Sequence, residues 1–328
     1  MKRMSSKAIR SIAIPFLLFL AGLAGCGDWQ SFPGTFERTL TVNGPVRIEM
    51  SNGSGDVRLS RGNASSVVIH CQFHVHAWMG QNPNSRIADI TAHPPIAQDS
   101  NLVRIGNDVQ HWSDVSFDYT IQVPQTTEVH LVTGSGDMVI SGINGPATLS
   151  TGSGDITADQ IGNDTRITTG SGTVELRDIR GEVDATAGSG DITLNHVQRA
   201  ARVHTGSGDI TVDSPGESLS IIAGSGDIQV TNPAGDLRAH TGSGGIDING
   251  SPAASAYWEL HTGSGDVTLD VSSSSSFRFY AHTNFGSINS SIPISVTEKT
   301  SSRELRGSVG SGQARIEVAT SSGDIEIR

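Results

Sequence analysis

The chain is poor in cysteine, aromatic residues and positive charge, and no hydrophobic run in it is long. Its 328 residues hold two cysteines, Cys26 and Cys71, too few for the disulfide framework that stabilises many small secreted domains. Aromatic residues make up only 5%, so most of the core must be aliphatic. Lys and Arg number 22 against 33 Asp and Glu, a formal charge of −11. An acidic body of this kind argues against nucleic acid as a partner and against electrostatic attachment to anionic lipid. The apolar run Ile12–Ala24 has 13 residues, interrupted by Pro15, whereas a membrane-spanning helix needs roughly 20.

That short run has another use. Lys2, Arg3, Lys7 and Arg10 precede it without an acidic residue, and Leu23-Ala24-Gly25-Cys26 closes it. Basic start, apolar stretch and small-residue end are the three parts of an export signal. The closing tetrapeptide resembles the lipobox of bacterial lipoproteins. The resemblance implies cleavage between Gly25 and Cys26 and acylation of the new N-terminal cysteine. Each buried methylene adds about 0.8 kcal/mol, so a multiply acylated Cys26 stays in the membrane. Loss of the four basic residues moves the mature chain from −11 to −15. With Cys26 lipidated, Cys71 has no partner for an intramolecular disulfide. Gly27, with Asp28 only at the next position, favours outer-membrane sorting in a host with two membranes.

What the chain has in abundance is glycine, arranged periodically. Gly-Ser-Gly starts at Gly134, Gly152, Gly170, Gly188, Gly206, Gly224 and Gly242, always 18 residues apart, and again at Gly263 after 21. Related phrases begin at Gly53, Asn284, Gly310 and Ser321. Counted from the first glycine, positions 5 and 7 are apolar (Ile210 and Val212, for example), and so are positions 14 and 16 (Leu219 and Ile221). Each pair has the period of two of a half-buried strand. The inward parity is odd in one strand and even in the next, so each repeat must insert an off-parity residue twice. Gly-Ser-Gly is one such place. The other is expected near positions 10–13, where glycine and proline gather.

Two strands and two corners per 18 residues make one rung of a flattened coil. The expected fold is all-β, a parallel β-solenoid of such rungs stacked about 4.8 Å apart. A run of antiparallel hairpins fits less well, because only Asn144-Gly145 and Asn249-Gly250 supply the two-residue turn that hairpins favour. Before Gly134, one rung is expected around Ile48–Leu59, then strands near 67–75, 102–105 and 115–123, with a helix near Asn84–Ala92 ended by Pro94-Pro95. The resulting division is a signal peptide over 1–25, a lipidated tether over 26–38, a β-rich cap with the first rung over 39–133, and the solenoid over 134–328.

The lipobox, the stretch FERTLTVNGPVRIEMSNGSGDVRL and the serial TGSGDI units together resemble the bacterial putative-adhesin, or toast-rack, family of β-strand-repeat proteins. Most of the mature chain is covered. The resemblance implies an extracytoplasmic β-repeat domain with an adhesive or sensory role, and it implies no reaction, since the family is a domain of unknown function.

Several ladders could carry chemistry. Position 4 is aspartate at Asp137, Asp155, Asp191, Asp209, Asp227 and Asp266. Stacked carboxylates repel, so the ladder needs cations, with Ca²⁺ and the run Asp191, Asp209, Asp227 the candidates, or backbone N–H groups to hydrogen-bond at the corner. His240, His261 and His282 fall at equivalent positions of successive repeats, and His70, His74 and His76 share one parity of a strand. Imidazoles so placed could bind Zn²⁺ or Cu²⁺ or charge together below pH ~6.5, or they are exposed polar residues on a sheet. Tyr257, Trp258, Phe277, Phe279, Tyr280 and Phe285 cluster where the repeat lengthens, as core filler or as a platform for glycan or peptide.

Catalysis has little support. Acid and base need different environments to separate their pKa values, and a periodic ladder gives its members the same one. The repeated serines lack the setting of a nucleophile, and a polysaccharide-cleaving solenoid is an analogy from fold alone. The sequence therefore points to a non-catalytic lipid-anchored envelope protein that presents an adhesive, binding or sensory surface to a protein or glycan. A Ca²⁺-binding solenoid is the alternative.

Overall fold

The computed structural model describes residues 29–78, 82–106, 113–272 and 274–328. The signal segment, Gly25 and Cys26 lie outside them. Two long sheets face each other across an aliphatic core, one of 14 strands and one of 15. Strands that run into Gly-Ser-Gly form the larger, leading sheet, and strands that leave it form the trailing sheet.

One rung shows the design. Ala201–Ser207 leads into the corner and Ile210–Pro215 leaves it. Both pair in parallel with their copies one repeat later: Ala201 with Leu219, Val203 with Ile221, Ile210 with Ile228 and Val212 with Val230. Residues in equivalent positions thus stack like on like, and all eight of these side chains are buried. The period-two pattern works because alternate residues of a strand face opposite sides of the sheet.

At the N-terminal end the rung Val46–Ser54 with Val57–Arg61 stacks directly on Thr127–Ser135 with Met138–Ser141. The intervening chain is pushed outward as a cap. Val115–Val123 extends the trailing sheet in parallel, and Ser66–Trp78 and then Trp29–Thr41 add antiparallel strands. Leu102–Ile105 and Ile96–Asp99 extend the leading sheet. The helix runs over Asn84–Ala92 as expected, buries Ile90 and stops before Pro94. Phe36, Phe73, Phe117 and Tyr119 fill the cap, with neighbouring ring centroids 5.8–6.3 Å apart. Residues 29–38, expected in a tether, belong to the edge strand Trp29–Thr41, because Phe36 is buried there against the cap.

The C-terminal end departs from simple stacking. The rung Tyr257–Ser264 with Val267–Asp270 is followed in space by Ala314–Ser322 with Ile325–Ile327, and only then by Phe277–Phe285 with Ile288–Ser290. The chain skips one place, builds the outer rung and a two-strand antiparallel flap (Ser295–Ser301 and Glu304–Val309), and returns to fill the gap. Gly310, expected to open another rung, instead lies with Gly312 in the turn that brings the chain back, both at positive φ (+59° and +67°). An antiparallel flap has to reverse before it can rejoin a parallel stack, and these glycines make the reversal.

The lengthened repeats fill their extra width with rings. Trp258, Phe277 and Phe279 are buried, and the Trp258 indole donates to the Gly235 carbonyl at 3.0 Å. Tyr257 and Tyr280 are half-buried on the outer face. Phe285, in register with the corner Ser322, is 71% exposed.

The corner glycines are irreplaceable for a geometric reason. Gly208 has φ +138°, and a Cβ built on it would lie 2.3 Å from the carbonyl oxygen of Gly190, one rung away. Gly208→Val should therefore cost about 1–3 kcal/mol for backbone conformation alone, with the overlap adding to it. Ser207, exposed between Gly206 and Gly208, should accept Ala with little change. Thermal unfolding of the two variants checks this, and a Gly208→Val protein that melts with the wild type would contradict it.

Candidate functional site

The first corner is a closed hydrogen-bonded column. Each corner aspartate accepts, through Oδ1, the backbone N–H of the equivalent residue one rung on. Asp209 donates to Asp191 at 2.8 Å, Asp227 to Asp209 at 2.8 Å and Gly245 to Asp227 at 2.7 Å. The column continues from Asp56 through Asp137 and Asp155 to Thr173, and at the far end from Asp266 through Asp324 to Ser287. One oxygen of each of these carboxylates is thereby committed to the chain itself. Among the described residues no group of three or more His, Cys, Asp or Glu is gathered as a metal site.

Beneath the aspartates runs a row that sequence reasoning missed. The residue before Gly-Ser-Gly is most often threonine, and it is buried. Thr205 donates to the Ser207 carbonyl and the Gly190 carbonyl, both at 3.2 Å, and Thr241 reaches Gly226 at 3.0 Å. A buried hydroxyl is tolerated because it supplies a donor to the bulged backbone. Its recurrence in the TGSGDI phrase was the available signal.

The second corner turns on position 9. Gln160, Asp178, His196, Ser214 and Asn232 all have φ between +51° and +56°, and Gly142 precedes them at +73°. Non-glycine residues seldom adopt this region, where Asn, Asp and His are the most frequent. Each follows an outward residue and is followed by a buried one: Ile161, Ile179, Val197, Pro215 and Pro233. Position 9 is thus the second off-parity residue. The glycines at 11 and 12, where the bend was expected, serve instead where backbones nearly touch, as at Gly216, whose Cβ would lie 2.2 Å from the Gln198 oxygen.

This left-handed column borders an open trough of about 820 Å³ that runs along the stack. Gln160, Asp178 and His196 are exposed in it. Arg61 and Arg180 line it too, as does Asp159. His196 Nδ1 lies 3.9 Å from Asp178 Oδ1. The trough offers amide, hydroxyl, carboxylate, imidazole and guanidinium groups from successive rungs along one line.

The histidine row is only partly assembled. His240 and His261 are neighbours, with ring centroids 5.8 Å apart and planes at 47°. His282 does not join them. The inserted strand puts Ala319 between His261 and His282, so a three-histidine ladder is corrected to one pair. His70, His74 and His76 face outward from Ser66–Trp78, as parity requires, with His76 Nε2 at 3.5 Å from Ser116 Oγ. Cys71 faces inward as a free, buried thiol. Burial, with the Asp118 charge adding to it, pushes its pKa well up, which disfavours the thiolate that a nucleophile needs.

The structure defines a long all-β protein of parallel, glycine-cornered rungs. The sequence matches Toastrack DUF4097 over residues 47–223 and 199–328, and the chain belongs to this family. No curated relative matches it. Two solved structures are similar at 10% identity: a "putative cell adhesion protein" from Clostridium sporogenes ATCC 15579 and a "putative adhesin" from Bacteroides fragilis NCTC 9343. The first covers 90% of this chain and 99% of its own with a TM-score of 0.22, and the second 90% and 97% with 0.30.

The hydrogen-bonded aspartate column generates a direct test. Replacing Asp191, Asp209 and Asp227 with Asn keeps the acceptor oxygen and removes mutual repulsion, so the triple variant should melt at or slightly above the wild-type temperature. Replacing them with Ala removes the acceptors and should cost about 0.5–1.5 kcal/mol each. Neither Ca²⁺ nor EDTA should move the wild-type midpoint. A bound ion at a hundred times its dissociation constant would add about 2.7 kcal/mol per site, and a shift of that size, lost in the Asn variant, would favour the calcium reading.

Proposed function

We propose that this is a non-catalytic envelope lipoprotein, anchored through Cys26, that uses the second-corner trough as an adhesive binding surface. The observation that carries the reading is the column of non-glycine residues held at positive φ along that trough. Glycine would take the same backbone without strain, as it does at Gly142, yet Gln160, Asp178, His196 and Ser214 place side chains there. Backbone strain of this kind concentrates where a side chain is needed for recognition. The repeated, near-equivalent settings suit an extended ligand gripped at several points and do not suit an acid–base pair.

The anchor reading rests on the sequence around Cys26. Trp29, three residues on, already begins the cap's edge strand, so lipidation would hold the N-terminal cap against the bilayer with the stack projecting from it. An extracytoplasmic location follows from the export signal, and outer-membrane sorting from Gly27 in a host with two membranes.

The column itself supplies the experiment. Gln160→Gly, Asp178→Gly and His196→Gly combined should leave the melting temperature within a few degrees of wild type, because relief of left-handed strain offsets the ~0.5–1 kcal/mol entropic cost of each glycine. The same variant should lose adherence of host cells to their substratum. Cys26→Ser should abolish palmitate labelling and leave unprocessed precursor. A trough variant that adheres as well as wild type would move the binding surface elsewhere. Wild-type protein recovered as a soluble, unacylated species would remove the anchor.

A further inference from the structure

The C-terminal cap gathers arginines in a protein that is otherwise acidic. Arg278, Arg306 and Arg315 border an open cavity of about 710 Å³ on the outer face of the leading sheet. Two of the three are matched within the chain. Arg306 bonds Glu304 at 3.1 Å and lies 4.8 Å over the Tyr280 ring. Arg315 bonds Glu317 and lies 5.6 Å over the Tyr257 ring.

Arg278 is different. It is exposed, and among the described residues no carboxylate pairs with it. Its register partner on one side is Ser308 and on the other is Arg315 itself. Neighbouring strands stand about 4.8 Å apart, and like charges opposite each other destabilise a sheet. The C-terminal insertion creates this juxtaposition, since it brings Ala314–Ser322 beside Phe277–Phe285. Gly312 leaves room for the Arg278 stem, because a Cβ there would lie 2.9 Å from Arg278 Cγ.

We propose that Arg278 and Arg315 form a carboxylate site for an acidic polysaccharide, with one uronate group bridging the two guanidinium groups. A guanidinium presents paired N–H donors that match a carboxylate in a bidentate way, which an ammonium does not. Tyr280, half-buried in the cavity wall with Arg306 over one face of its ring, adds apolar surface for a sugar ring beside the arginines. The bridging anion gives Arg278 the counter-charge that Glu317, in the same cavity wall, already gives Arg315. An anionic lipid headgroup shares the chemistry but stands in the wrong place. The cavity is at the end of the stack opposite the strand that begins at Trp29, an argument that rests on the Cys26 anchor.

The test is calorimetric titration of the full chain in neutral detergent with an oligogalacturonate. A malto-oligosaccharide of equal length, inorganic phosphate and short-chain phosphatidylglycerol form separate arms. The oligogalacturonate should bind, more weakly as salt rises, and the neutral sugar should not. Arg278→Gln should weaken binding about tenfold or more, the scale of one hydrogen-bonded charge, with a melting temperature unchanged or slightly raised by relief of the repulsion from Arg315. Arg278→Lys should fall between. The triple glycine variant of the trough should bind the oligogalacturonate as wild type does, which separates this site from the adhesive reading. Equal binding by Arg278→Gln, equal binding of the neutral sugar, or binding of phosphate or phosphatidylglycerol alone would each overturn the proposal.

Discussion

The structure depends on backbone packing against backbone at the Gly-Ser-Gly corner. From Gly134 to Gly265, each corner glycine sits where a Cβ would overlap the carbonyl oxygen of its counterpart, at 2.6 Å for Gly188 against Gly170 and 2.2 Å for Gly190 against Gly172. The third position of the corner stays glycine even where Ser321 and Asn284 replace the first, because no other residue allows so close an approach at the positive φ taken there. Once the corners are stacked, the rest is dictated. The peptide groups that the bend removes from the strand ladder must find partners, and the aspartates outside and the threonines inside supply them. What resembles a row of ligands is in large part a way of satisfying a strained backbone.

A stack of parallel rungs leaves two apolar ends and exposed strand edges, both liable to recruit other chains. The protein deals with the two ends in the same way. The first rung lies next to Thr127–Ser135, and the last-built rung lies next to Tyr257–Ser264. In both cases the chain between is displaced outward as an irregular cap. Both edges of the trailing sheet are poor templates. Ile288–Ser290 has only 3 residues, and Trp29–Thr41 carries Pro33, which has no N–H to offer.

The sequence was legible wherever one rung determines its own structure. The 18-residue period, the parity of Ile210 and Val212 against Leu219 and Ile221, and the helix before Pro94-Pro95 could all be read locally. Rung order could not. Spacing along the chain says that Phe277–Phe285 comes next after Tyr257–Ser264, and only the competition to cover the last apolar face says that Ala314–Ser322 takes that place. The broken histidine row and the paired arginines both follow from this one rearrangement. Position 9 was missed for another reason. Its occupants Gln160, Asp178, His196 and Ser214 share only polarity, whereas the nearby glycines, easier to notice, mark close approach and not the bend.

The insertion of the last rung shapes the C-terminal surface, and cysteine cross-linking measures it directly. Ser264 and Ser322 are register neighbours, and so are Ser322 and Phe285, which puts Ser264 two rungs from Phe285. A disulfide spans Cα atoms up to about 7 Å apart, enough for one rung of ~4.8 Å and too little for two. With mild oxidation, Ser264→Cys paired with Ser322→Cys should form an intramolecular disulfide identifiable by peptide mapping. Ser264→Cys paired with Phe285→Cys should stay reduced. The opposite result, bridging 264 to 285 and not to 322, would mean that the rungs stack in chain order and would contradict the fold described here.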